Sequence, residues 1–124
     1  MGSQDDLATR LMDDMDPHLL TFIRERVNTF VKWDLVRFFH DNPHTVDTAA
    51  NIARYTGREV GTIQADLTEL VESEVLQLSH VGGQAVYKLH TDRTTRTLIE
   101  RFVRACEDRQ FRVKAIYHVI RGMG

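Results

Sequence analysis

The side chains in this chain with the most chemistry to offer stand close together: Arg54, Arg58, Thr62 and Gln64, interleaved with Gly61, Ala65 and Thr68. Guanidinium groups neutralise phosphate, and a glutamine amide pairs bidentately with adenine. Threonine reaches several bases, while glycine and alanine let a backbone come close. His80, Gln84 and Lys88 follow, of which His80 and Lys88 are able to touch phosphate. These types suit contact with a polyanion better than bond breaking. No Ser-His-Asp or Cys-His grouping and no Gly-rich phosphate loop is present, so no enzymatic activity is expected. The six histidines are scattered, and Pro43 separates His40 from His44. With a single cysteine, Cys106, there is no thiolate cluster for a metal, and no cofactor is expected.

The elements that must position these residues read from residues 45–89. Ile52, Ala53 and Tyr55 or Thr56 give a short helix over 49–55 its packed face, Asp47 or Thr48 supplies its cap, and Gly57 the φ > 0 stop. Ile63, Leu67, Leu70 and Val71 recur at i, i+4, i+7 and i+8, one apolar stripe of a helix over 59–74. With that stripe inward, Gly61, Ala65, Thr68 and Glu72 face outward, flanked by Thr62, Gln64 and Glu69. Two alternating runs around Gly82-Gly83 then form a β-hairpin. His44-Thr45-Val46 is a candidate third strand.

Helix, turn, helix and hairpin in this order resemble the winged helix-turn-helix of bacterial and archaeal transcription regulators. Ala50-Asn51-Ile52-Ala53-Arg54-Tyr55-Thr56-Gly57 looks like the "ELAxxxG" helix that braces the turn in such proteins. Val60-Gly61-Thr62-Ile63-Gln64-Ala65-Asp66-Leu67 is similar to their recognition helix, and Glu69-Leu70-Val71-Glu72-Ser73-Glu74-Val75-Leu76 to the "LxxxGLL" passage into the wing. Glu74 stands where such proteins commonly have Gly, which predicts a less sharply broken helix end. The resemblance implies binding of double-stranded DNA, with Gly61, Thr62, Gln64, Ala65 and Thr68 in the major groove. Arg54, Arg58, His80, Gln84 and Lys88 would then contact backbone or wing groove.

The flanks complete a mainly α fold with a small hairpin wing. Residues 1–15 form an acidic tail and residues 16–124 a single winged-helix domain. Asp16-Pro17 starts an N-terminal helix, or two helices broken near Asn28-Thr29, over 16–40. Residues 92–121 form a long C-terminal helix, or two joined near Asp108, read as the dimerisation element of a homodimer. No apolar run is long enough to span a membrane, and one cysteine fits a reducing cytoplasm.

Charge qualifies the functional expectation. The net charge is −2, yet residues 1–16 hold five acids and one base. Residues 59–74 hold five acids and no base, although affinity for DNA is largely phosphate neutralisation. The alternative reading is a winged-helix module that docks another protein without binding DNA.

Overall fold

Local capping chemistry divides the chain where the residue types demand it. The computed structural model describes Leu7 and residues 10–123, so the acidic tail expected over 1–15 lies partly outside the described residues. Helix α1 (Pro17–Glu25) starts at Asp16, whose side chain accepts the His18 N–H at 2.8 Å. It ends at Arg26, and the Val27 N–H closes back on the Phe22 carbonyl at 3.0 Å. Helix α2 (Phe30–Asp41) restarts at Thr29, whose hydroxyl accepts the Lys32 N–H at 3.0 Å.

This break resets the apolar stripe. A single helix would bury Leu20 and Phe30, but Leu20 is only half-buried and Phe30 is exposed. Leu19, Phe22 and Ile23 point inward from α1, and Leu35, Val36 and Phe39 from α2. The C-terminal segment behaves alike. It is two helices, α5 (Arg93–Ala105) and α6 (Arg109–Met123), separated at residues 106–108. Ile99 and Phe102 are buried in α5, and Ala115, His118 and Val119 in α6. Val113, Ile116 and Ile120, which extend the α5 stripe on paper, are left exposed.

Between these flanks, α3 (Ala49–Tyr55) is capped by Thr48 and packs on α4 (Val60–Glu72). Gly57, at φ +69°, closes α3 with paired bonds, Gly57 N–H to the Arg54 carbonyl and Arg58 N–H to the Ala53 carbonyl. Glu74 closes α4 in the same way at φ +64°, with Glu74 N–H on the Val71 carbonyl and Val75 N–H on the Leu70 carbonyl. The expected blunt ending is therefore corrected: the turn is as sharp as a glycine makes it, because buried Leu70 and Val75 lock both of its sides.

Strands β1 (Leu76–Val81) and β2 (Gln84–Leu89) pair antiparallel from Leu76↔Leu89 to Val81↔Gln84. Gly82 and Gly83, at φ +58° and +80°, form the two-residue turn that this register needs. The third-strand contact falls at Asp47, one residue beyond His44-Thr45-Val46, as a bridge of two hydrogen bonds to Tyr87. The fold is a winged helix: mainly α, with a hairpin wing and extra helices at both ends. An aromatic seam ties those extra helices together, with Phe102 at 5.7 Å from Phe22, 5.3 Å from Trp33 and 6.2 Å from Phe111 between ring centres. Among the described residues no helix is long and apolar enough to cross a membrane.

Candidate nucleic-acid interface

Helix α4 buries Ile63, Leu67 and Leu70 and leaves Gly61, Ala65 and Thr68 exposed on one outer side. That surface is small and uncharged over the first turns of the helix, and exposed Glu72 stands on the same side at its C-terminal end. Thr62 and Gln64, both exposed, diverge onto opposite flanks of the helix. The Gln64 amide leans towards the wing, where its Nε2 donates to the Tyr87 hydroxyl at 3.0 Å. Tyr87 is itself buried, so the amide is held rather than free to rotate.

Two of the five acids between residues 59 and 74 have partners on α2 or at its cap. The Thr29 hydroxyl donates to the Asp66 carboxylate at 2.8 Å, and Lys32 Nζ donates to Glu69 at 3.0 Å and to Asn28 Oδ1 at 2.7 Å. Lys32 is only 3% exposed, an ammonium sunk between α2 and α4 with two acceptors. Periodicity gave no sign of it, since a lysine in a core stripe reads as a surface residue. Glu59, Glu72 and Glu74 are exposed, and Glu69 is exposed as well despite its bond to Lys32.

The two arginines part ways. Arg54 is exposed at the end of α3, its guanidinium donating to Asn51 Oδ1 at 2.6 Å and lying 6.0 Å from the Tyr55 ring centre. Arg58 is half-buried and ion-paired with Asp34 of α2, which engages its charge internally. Asp34 and Arg58 are 24 residues apart, and no local signal links them.

Asp47 organises the other end of α3. Its carboxylate accepts from the Thr48 N–H at 2.8 Å, the Asn51 amide at 2.7 Å and the Tyr55 hydroxyl at 2.8 Å. The Asn51 bond, then the Tyr55 and Thr48 bonds, hold its pKa below the ordinary aspartate value, and the bond to Asp47 raises the pKa of the Tyr55 phenol. The i, i+4, i+8 spacing of Asp47, Asn51 and Tyr55 was the available sequence signal. The network fixes Asn51, and Asn51 orients Arg54.

On the wing, the register separates the three candidates. His80 pairs with Ala85 on the side that carries Leu76, Leu89 and Tyr87. Gln84 and Lys88 pair with Val81 and Gln77 on the opposite side. The structure thus gathers Gly61, Ala65 and Thr68, and it divides His80 from Gln84 and Lys88.

No family model matches the chain, and no curated protein matches it. A solved structure similar to it is described as a "possible transcriptional regulator from Methanosarcina mazei Go1", at 18% identity and a TM-score of 0.47 over 86% of this chain and 81% of that one.

Proposed function

We propose that this chain is a transcription regulator that binds double-stranded DNA as a homodimer, with the outer side of α4 in the major groove. The observation that carries this reading is the uncharged Gly61, Ala65 and Thr68 surface on the N-terminal part of α4, where Asp66 is engaged by Thr29, Glu69 is paired with Lys32, and exposed Glu72 lies only at the far end. The N-terminal part of an acid-rich helix, the part that enters a groove, is thereby left without a carboxylate on its outer side. Arg54 and Lys88 supply backbone contacts, and Gln64, held by Tyr87, supplies an amide edge. The dimer reading rests on α6. Val113, Ile116, Ile120 and Met123 recur at helical spacing and are 50%, 39%, 56% and 59% exposed. Exposed Leu11 lies beside Val113, and the neighbouring cations Arg109 and Arg121 and acids Asp13 and Asp14 suit a self-complementary two-fold contact.

Binding to duplex DNA measured by anisotropy against salt tests the reading. Two phosphate contacts per protomer give a slope of log K against log salt of about −4 for a dimer, and Arg54→Ala reduces it by about 2. Absence of binding to any duplex at low salt would overturn it. The second reading, protein docking without DNA, is favoured by the internal Arg58–Asp34 pair and by exposed Glu59, Glu72 and Glu74. Salt-insensitive capture of a basic protein partner, without duplex binding, supports that reading instead.

A further inference from the structure

Away from α4, a cleft of about 530 Å³ opens where α2, α5 and α6 meet. Its inner lining is apolar: the Trp33 indole, Phe102, Val103 and the Cys106 side chain. Burial pushes the Cys106 thiol up to about 11, so it stays neutral as part of that wall. Its volume lies within the range of sites that hold small organic ligands, and charged groups make up the rest of the lining.

Its charged groups define what enters. Arg112 is braced by bonds from Nη1 to the carbonyls of Cys106 and Glu107 at 2.7 and 3.1 Å, which hold the guanidinium at the α5–α6 junction. Arg37 reaches Asp41 only at 4.0 Å and has a side chain 72% exposed, while the His40 ring lies 3.2 Å from the same carboxylate. The two guanidinium groups are balanced by Asp41 and by Glu107 at the edge. The cleft thus has no excess of positive charge to hold a polyanion, and a singly charged anion is matched by the two guanidinium groups alone.

We infer that this cleft is a binding site for a small aromatic monocarboxylate, its ring against Trp33 and Phe102 and its carboxylate on Arg37 and Arg112. A guanidinium matches a carboxylate in shape and charge, and an aromatic ring gains from offset or edge contact with Trp33. The chain's single tryptophan is in the site, so its own fluorescence reports occupancy.

Titrating the full chain with phenylacetate should give a saturable change in Trp33 emission, with a dissociation constant of roughly 1 mM for so small a probe. Phenylacetamide and phenethylamine, which keep the ring and lose the negative charge, should bind about tenfold more weakly. Arg37→Gln, at an exposed position that folding does not depend on, should weaken phenylacetate about tenfold while leaving circular dichroism unchanged. An unsaturable response, equal binding of the amide or amine, or an unaffected Arg37→Gln variant overturns the assignment. No DNA enters the measurement, so its outcome is independent of the function proposed above.

Discussion

Glu74 holds a left-handed backbone at φ +64°, where a side chain with a Cβ costs free energy that glycine does not. Glu74→Gly should raise unfolding stability by about 0.5–1 kcal/mol, the strain relieved exceeding the extra freedom of the unfolded chain. Urea denaturation checks this, and a loss of stability would show that the exposed carboxylate does more than the backbone geometry indicates. Asp47 makes a second prediction at this scale. Its pKa is held below the ordinary value, first by the Asn51 bond, so its contribution is present above about pH 4 and lost as pH falls through the folded-state value. Asp92, lowered chiefly by the Thr95 N–H, acts with the same sign. The thermal midpoint should fall between about pH 5 and pH 2, and less steeply in Asp47→Asn.

At the scale of elements, α2 is the hub that aims α4. Thr29, Lys32 and Asp34 from its first turns hold Asp66, Glu69 and Arg58 respectively. The Lys32–Glu69 pair is asymmetric, with the ammonium buried and the carboxylate more than half exposed. Glu69→Ala strands a buried charge with only Asn28 as acceptor and should cost about 1–3 kcal/mol. Lys32→Met keeps the stem, removes the charge and should stay within about 1 kcal/mol of the parent. The paired denaturation curves decide this, and a Lys32→Met variant the weaker of the two would refute the asymmetry. The N-terminal segment is an element of a different kind. His118 meets the Met12 carbonyl at 2.9 Å, Lys114 the Asp14 carbonyl at 2.8 Å, Arg24 the Asp13 carboxylate at 3.2 Å, and Arg101 pairs with Asp16. The described part of the tail is thus laid on α1, α5 and α6, and its cations come from none of the DNA-facing candidates.

At the scale of the whole molecule, the exposed α6 stripe predicts association. Ile116→Glu combined with Ile120→Glu should convert a dimer to a monomer in sedimentation equilibrium while leaving the helical signal intact. An unchanged mass for this variant, or a monomeric parent, removes α6 as the interface. What lay within a few residues was legible beforehand: the Asp16 and Thr48 caps, the Gly57 stop, the Gly82-Gly83 hairpin and the inward stripe of α4. Each depends on a φ preference or a hydrogen bond spanning at most five residues, and such terms act before any packing is specified. The division of both long helical segments was legible only as an alternative, because an apolar repeat continues on paper across a break that the chain turns through. The engagement of Arg58 by Asp34, the burial of Lys32 against Glu69, the hold of Tyr87 on Gln64 and the cleft beside Trp33 belong to the tertiary structure alone. They join residues 23 to 69 positions apart or more, and only the packing of α2 against α4 and α5, and of α4 against the wing, brings such groups within reach. The sequence by itself determined a winged helix with an acidic helix over 59–74, and the tertiary structure decided which of those acids are paired, Asp66 with Thr29 and Glu69 with Lys32, because a partner from α2 or its cap is brought up only by packing.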